Sequence, residues 1–147
     1  LEACAQAAAE KGIVLESGSD EPVLLATFDR ERMLQVLANL LSNAIKFTPD
    51  GGLVRVDLGP EPGDRLAIRV TDQGTGISAE EMPRIFDTFW GGADVMQHSS
   101  GDYGYQKRGP GLGLAIARRA VEAHGGTIEV QTAPGRGTTF RIRIPVP

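Results

Sequence analysis

Two glycine-rich stretches carry residues that are well suited to chemistry. Residues 72–77 read DQGTGI, and residues 109–114 read GPGLGL. Glycine at alternate positions lets a backbone bend tightly and approach a ligand closely. Neither stretch ends in the Lys-Ser/Thr pair with which a P-loop holds phosphate and magnesium. If these stretches bind a ligand, they do so by another arrangement.

Asp72 lies at the end of a predicted strand, and Gly74 and Gly76 follow it in the same short stretch. The Asp72 carboxylate can accept a hydrogen bond from an exocyclic amine such as that of adenine. The alternative is an Asx turn that ends the strand, which is the commoner role of a single Asp-x-Gly. In the second stretch the glycines lead into a helix start, where backbone amides and the helix dipole favour an anion. A low-complexity loop is the alternative there, and Pro110 lacks an amide to donate.

Three polar residues lie on one face of a predicted long helix. Asn39, Asn43 and Lys46 are spaced i, i+4 and i+7, so they align along that face. Two amide oxygens can bind a hard cation, and a lysine one turn away can meet phosphate. A simply solvated helix face is the alternative. Together with the glycine stretches, the pattern indicates a ligand with an amine-bearing ring, phosphates and a cation, which is Mg-ATP.

The elements that must position these residues follow from periodicity and turn signals. Asp29 is predicted to cap the long helix, and Ser78 with Glu81 has the spacing of a capping box. Another face of the long helix is predicted to pack in the core, through Met33, Val36, Leu37, Leu40, Leu41 and Ala44. The predicted helices are 29–47, 78–86 and 112–124, and the predicted strands are 13–17, 23–28, 53–59, 65–72, 127–133 and 137–146.

This order of elements predicts an α+β fold, a two-layer sandwich of a mostly antiparallel mixed sheet with helices packed on one face. The first two strands are expected to form a hairpin. We expect residues 1–12 to be the end of an upstream helix or linker, and residues 13–147 to be one domain. Residues 91–111 break every period and are rich in glycine, which is typical of a lid, a binding loop or a disordered segment.

Composition excludes several classes of protein. Of the 147 residues, 41% are hydrophobic and 23% charged, as in ordinary globular domains. A net charge of −4 and the absence of a basic stripe argue against a nucleic-acid partner. No apolar run approaches the ~18 residues of a membrane span. The single cysteine, Cys4, excludes an internal disulfide framework and fits a reducing compartment.

Five stretches, in this order, resemble the catalytic ATP-binding domain of bacterial sensor histidine kinases, in the wider group shared with gyrase, Hsp90 and MutL. The resemblance covers about residues 13–146 and implies the fold called Bergerat-type. The five stretches are QVLANLLSNAIKFTPDGG for the asparagine box, DQGTGI for the first glycine box, IFDTFW for the phenylalanine box, GPGLGLAIARRAVEAHGG for the second glycine box and GRGTTF for the third.

The resemblance implies that the polar stripe of the long helix holds the metal and the phosphates. Asn43 would coordinate Mg²⁺ with Asn39 assisting, and Lys46 would reach phosphate. Gly109, Gly111 and Gly113 would border the phosphates, and Leu112 between them would also contact the nucleotide. Lys107 or Arg108 would supply a cation from the lid, with ordinary solvated loop residues as the alternative reading of both.

The resemblance places the base beside the first glycine stretch. Asp72 would bind the adenine amino group, while Gly74, Gly76 and Ile77 would shape the pocket. Thr138 would lie near the adenine.

The lid implied by the resemblance comprises residues 91–108. Phe86 and Phe89 would support it, with ordinary core packing as the alternative reading of both.

By the same resemblance, this domain would donate the γ-phosphoryl group of ATP to a histidine on a separate dimerisation and histidine-phosphotransfer domain, in two-component signal transduction. Hydrolytic relatives carry a glutamate one turn before the magnesium asparagine, whereas this chain has Asn39, which cannot take a proton. His98 falls in the predicted lid and His124 at a helix end. We therefore expect the phosphoacceptor outside this chain.

The implied partners are that phosphotransfer domain and the receiver domain of a response regulator. The isolated domain is expected to be monomeric and cytoplasmic. The alternative function is a nucleotide-sensing or catalytically silent interaction module of a sensor protein.

Overall fold

The computed structural model describes residues 2–19, 25–87 and 113–146. Its helices are α1 (Glu2–Glu10), α2 (Arg30–Phe47) and α3 (Gly113–Ala123). Its strands are β1 (Val14–Ser19), β2 (Leu53–Glu61), β3 (Arg65–Asp72), β4 (Thr127–Thr132) and β5 (Thr138–Pro145). The predicted lid lies outside the described residues, as do Phe89, Lys107, Arg108, Gly109, Gly111 and Leu112.

The five strands form one mixed sheet in the order β1-β2-β3-β5-β4. The β1–β2 pair is parallel, and the other three pairs are antiparallel. The helices cover one face of this sheet, which confirms the predicted α+β sandwich. Among the described helices, none is long and apolar enough to cross a membrane.

The core lies between the sheet and the helices. Helix α2 buries one stripe because residues three and four apart share a face. Of the six residues predicted for that stripe, Leu37 is only partly buried, and the sequence reading missed Ile45, which is 1% exposed. The sheet contributes alternate residues, as the two-residue period of a strand requires. Its buried members include Val54, Ile68, Val70, Phe140, Ile142 and Ile144.

The predicted hairpin between 13–17 and 23–28 is wrong. Strand β1 pairs in parallel with β2, with Val14 opposite Leu53, and residues 25–28 belong to no strand. Parallel neighbours need a crossover, and α2 supplies it here. The apolar run before α2 instead leads into the helix cap, where Asp29 Oδ1 accepts a hydrogen bond from Arg32 N at 3.1 Å, as predicted.

The helix predicted over 78–86 is reduced to a single 3-10 turn at Met82–Arg84. The capping box itself forms, since Glu81 N donates to Ser78 Oγ at 3.2 Å and Ser78 N to Glu81 Oε2 at 3.3 Å. The hydrogen bonds that follow join residues three apart, such as Arg84 N to Glu81 O at 2.8 Å, which is the pattern of a 3-10 helix. So short a helix is marginal without packing to extend it.

Residues 2–10 form a helix that packs against α2. Its Cys4, Ala7 and Ala8 are buried in the same core as α2 and the sheet. That the domain begins at residue 13 stays a prediction. These contacts show only that residues 2–10 pack against the same core as α2 and the sheet.

Candidate functional site

Asp72 is the last residue of β3, and its register partner in β5 is Thr138. The Asp72 side chain is buried. Its Oδ1 accepts hydrogen bonds from Gly74 N at 2.8 Å and from Thr138 N at 3.2 Å. Both bonds fall on Oδ1, and Oδ2 makes none with the described residues. The Asx turn considered above therefore forms, and it still leaves one carboxylate oxygen as an acceptor for a ligand.

Burial raises the pKa of Asp72 above its ordinary value, although the hydrogen bonds from Gly74 N and Thr138 N act in the opposite direction. Removing a carboxylate from water disfavours its charged form, whereas each N–H donor favours it. The two hydrogen bonds therefore offset only part of the free-energy cost of burying the ionised carboxylate. A ligand that donates a hydrogen bond to Oδ2 would stabilise it.

Three glycines allow the backbone to close around Asp72. A Cβ on Gly74 would lie 2.7 Å from Asp72 Oδ1 and 2.8 Å from Phe47 O. Gly76 and Gly137 have positive φ angles of 76° and 77°, and a Cβ would collide with Ala133 O at Gly76 and with Asp72 O at Gly137. At these positions glycine is a steric requirement.

The hydroxyl of Thr132 joins three backbone segments beside Asp72. Thr132 Oγ1 accepts a hydrogen bond from Ile77 N at 2.8 Å, and lies 3.0 Å from Gly137 O and 2.9 Å from Thr138 Oγ1. A hydroxyl has one proton, so all three contacts are satisfied only if Thr132 donates to Gly137 O and Thr138 donates to Thr132. The network fixes Ile77 and Thr138 relative to Asp72.

Thr132 and Gly137 were not among the residues predicted for the site. Thr132 ends β4 directly opposite Thr138, and only the strand register reveals that pairing. Gly137 belongs to the GRGTTF stretch, where its glycine was an available signal.

The polar face of α2 is half-buried at Asn39, Asn43 and Lys46. Asn39 Nδ2 donates to Gly113 O at 3.1 Å, which holds the first residue of α3 against α2. The side chain of Asn43 has no hydrogen bond within the described residues. Lys46 Nζ lies 5.2 Å from the centroid of the Phe47 ring. Among the residues that the structure describes, the Asn43 amide of this face has no hydrogen-bond partner, and the Lys46 ammonium group lies about one turn further along α2.

The end of α2 is held by a residue from outside the predicted site. Lys11 Nζ donates to Ile45 O at 2.7 Å, to Lys46 O at 3.2 Å and to Thr48 O at 2.7 Å. A cation at the carbonyl end of a helix satisfies unpaired acceptors and opposes the helix dipole. Lys11 thereby fixes the turn that carries Lys46.

The two predicted parts of the site, the polar face of α2 and the DQGTGI loop, are neighbours in the fold. The carbonyl of Phe47, at the end of α2, approaches Gly74 of the DQGTGI loop so closely that no Cβ fits between them. Phe86 packs against the core, with the Arg118 guanidinium 5.1 Å from its ring centroid. Whether Phe86 supports a lid stays a prediction.

The sheet with its helices on one face is the fold of an ATPase-type class of domains. The chain belongs to the family described as histidine kinase-, DNA gyrase B-, and HSP90-like ATPase, whose model matches residues 28–147.

Curated relatives are sensor histidine kinases. The chain is 40% identical over 140 residues to sensor histidine kinase TmoS of Ectopseudomonas mendocina, which covers 95% of this chain and 14% of TmoS. It is 43% identical over 130 residues to sensor histidine kinase RcsC of Escherichia coli K12, covering 86% of this chain and 12% of RcsC. The chain thus spans about an eighth of the length of these relatives.

Solved structures share the fold. Full-length ShkA in complex with AMPPNP superposes with a TM-score of 0.78 at 30% identity, over 99% of this chain and 28% of that one. The catalytic domain of histidine kinase ThkA superposes with a TM-score of 0.73 at 26% identity, over 99% of this chain and 91% of that one.

Proposed function

We propose that this domain binds Mg-ATP and donates the γ-phosphoryl group to a histidine on a separate dimerisation and histidine-phosphotransfer domain, from which a response-regulator receiver domain takes it. The observation that carries the proposal is the buried Asp72 carboxylate, which keeps Oδ2 as an acceptor at the end of β3. Family membership and the AMPPNP-bound neighbour support it.

Asp72 and its neighbours would form the base end of the site. The adenine amino group would donate to Asp72 Oδ2, which relieves the cost of burying that charge. Thr138 Oγ1, whose proton points to Thr132, would offer lone pairs to the base or to a bridging water. Gly74, Gly76 and Ile77 would let the ring approach the backbone.

The helix face would form the metal and phosphate end. Since Asn39 Nδ2 donates to Gly113 O, its Oδ1 faces away from that carbonyl and is an acceptor. Asn43 adds a second amide oxygen that no described residue occupies. Mg²⁺ is commonly held by one or two protein oxygens together with substrate phosphates and water, so these residues fit the ion. The ion would neutralise charge on the phosphates, and Lys46 would add a cation beside them.

Asn39 favours transfer to a protein over hydrolysis. An amide cannot remove a proton from water. In phosphoryl transfer to histidine, a ring nitrogen forms the new bond to the γ-phosphorus as the bond to the bridging oxygen breaks and ADP leaves. Catalysis then consists mainly of positioning and charge stabilisation.

The test is label transfer from γ-labelled ATP to a histidine-phosphotransfer domain of a sensor histidine kinase supplied on a second chain. We expect acid-labile label on the second chain, little label on this one, and slow phosphate release by this chain alone. Loss of a residue that merely orients a metal ligand commonly costs ~10- to 100-fold, so Asn43→Ala should reduce transfer at least about 100-fold.

Gln35→Ala is the matched control, because it removes an exposed amide from the same helix. Transfer should stay within about twofold of wild type in this variant. Rapid magnesium-dependent phosphate release without transfer would reassign the domain as an ATPase. Absence of nucleotide binding would favour the silent interaction module instead.

A further inference from the structure

His124 follows the last residue of α3, and its ring joins two helices. The ring Nδ1 lies 2.7 Å from Ala120 O, and Nε2 accepts a hydrogen bond from Asp29 N at 2.9 Å. A carbonyl oxygen can only accept, so the ring proton must be on Nδ1, which leaves Nε2 as the acceptor. The neutral imidazole with this tautomer satisfies both partners.

The bond to Asp29 connects the end of α3 to the start of α2, because Asp29 is the N-cap of α2. At the opposite end of the pair, Asn39 Nδ2 donates to Gly113 O. The two helices therefore run antiparallel, with polar links about three turns or ~15 Å apart. The second link lies at the proposed phosphate end of the site.

Small side chains make up much of the buried face of α3. It buries three alanines, Ala115, Ala117 and Ala120, together with Leu114 and Val121. Small residues give shallow ridges, which fix the register of packed helices only weakly. The polar links at the two ends of α3 therefore add to the packing of Leu114 and Val121 in opposing sliding or tilting of this helix.

We infer that His124 is a positioning residue for phosphate binding: it fixes α3 against α2 so that Gly113 stays beside Asn39. This inference rests on the proposed function. His124 touches neither ligand nor reacting atoms in it. His124 would act by raising the fraction of molecules in which Gly113 lies beside Asn39. The observed affinity for the nucleotide falls in proportion to that fraction.

Two substitutions each remove one of the two hydrogen bonds of the His124 ring and keep the other. His124→Gln keeps an acceptor oxygen at the Nε2 position and can still bind Asp29 N, whereas His124→Asn keeps a donor at the Nδ1 position and can still bind Ala120 O. Only the asparagine variant loses the link between the helices. The variants are otherwise similar in size and polarity, so each is the control for the other.

The measurement compares ADP with adenosine, because only ADP reaches the phosphate end. Titrations followed by calorimetry or by NMR shifts should show ADP affinity about 3- to 10-fold weaker in His124→Asn, the size expected for one lost hydrogen bond. Adenosine affinity should remain within about 1.5-fold, and His124→Gln should bind ADP nearly as wild type does. Equal loss for both ligands, or equal loss in both variants, would overturn the inference.

Hydrogen exchange in the nucleotide-free protein distinguishes failure of this inference from failure of the proposed function. Amides in the first turns of α3 should exchange faster in His124→Asn than in His124→Gln, with β3 and β5 unchanged. If wild type binds no ADP, the proposed function fails while this exchange difference still tests the link. Unchanged exchange in α3 would contradict the positioning role.

Discussion

The two ends of the proposed site are built differently. At the base end, the carboxylate, the glycines and the threonine pair sit at strand ends and hydrogen-bond to one another, from Asp72 through Thr138 to Thr132. At the phosphate end, Asn43 has no partner among the described residues, and Asn39 reaches across to α3. The base end is therefore held together without a ligand and leaves Asp72 Oδ2 as its acceptor, whereas the phosphate end has several polar groups for a ligand to satisfy.

Under the proposed function, this difference follows from what each end of the site would recognise. A flat base with fixed hydrogen-bonding groups is best met by a rigid surface, because preorganisation lowers the cost of binding. Phosphates and a hydrated metal ion need several charged or polar groups that close around them. A helix face can supply part of that set, and a second element must supply the rest.

The largest effect is expected from Gly137→Ala. Its Cβ would collide with the backbone oxygen of Asp72, and its φ of 77° adds strain. We expect unfolding free energy to fall by at least about 3 kcal/mol in urea denaturation. Gly135→Ala is the control, since Gly135 has a φ of 75° and a Cβ added there would have nothing within 4 Å. That variant should lose only about 1–2 kcal/mol. Equal losses would mean that the base end is not tightly closed.

Asp72→Asn is expected to weaken ADP binding by about 100-fold. Keeping the two N–H bonds fixes the amide oxygen at the Oδ1 position, which turns Oδ2 into an NH₂ group facing the adenine amine. Calorimetry with ADP measures the loss. Asp64→Asn is the matched control, because Asp64 is exposed in the turn between β2 and β3 and asparagine tolerates its φ of 54°. A folded Asp72→Asn protein with unchanged affinity would remove Asp72 from the site.

Lys11→Met tests how firmly the carbonyl end of α2 is held at the phosphate end of the site. It removes three hydrogen bonds from an ammonium group to the carbonyl end of α2, while keeping an apolar stem of similar length. Unfolding free energy should fall by about 2 kcal/mol, because hydrogen bonds to charged groups are stronger than neutral ones. Arg119→Met removes an exposed cation from α3 and should cost less than about 0.5 kcal/mol. Thermal or urea denaturation compares the two, and equal costs would contradict the capping role.

The smallest effect is a pair of opposite pH trends that both arise from Asp72. Its folded pKa is raised, so the folded protein binds this proton more tightly than the unfolded chain does. Stability contributed by Asp72 is therefore present below the ordinary value of 3.8 and declines as pH rises through the raised folded pKa. Nucleotide affinity should rise over the same interval, because the ionised carboxylate is the better acceptor.

Denaturation and ADP titrations at several pH values measure both trends against Asp72→Asn. Each trend should be weaker in that variant, since position 72 no longer titrates. If the ADP affinity of wild type and variant had the same pH dependence, another group would be responsible for it.

Periodicity and caps predicted most of the fold. The helix after Asp29 and the strand at 65–72 match the structure because their patterns are long and bounded by clear turns. The hairpin failed because a short apolar run such as 23–28 gives no information about its partner, and β1 pairs with a strand nearly forty residues later. Local patterns do not encode that choice.

Contacts of the candidate site were predictable where one short stretch holds both partners, and unpredictable where distant residues meet. Asp72 and Gly74 are two residues apart in sequence, and the bond between them was accessible to a motif reading. Thr132 with Ile77, Lys11 with Thr48 and His124 with Asp29 come together only through tertiary packing. Their residue types alone did not distinguish them from ordinary surface or strand residues.

The sheet order has a consequence for synthesis of the protein. Strand β5 is the last strand in chain order, yet it lies between β3 and β4 in the interior of the sheet. A growing chain on the ribosome therefore exposes two unpaired strand edges until residues 138–145 emerge. Unpaired edges invite association with other chains, so the nascent domain is most vulnerable to aggregation or to chaperone capture just before β5 becomes available. The proposed base end is completed at the same late moment, because Thr138 N reaches Asp72 only when β5 has been inserted.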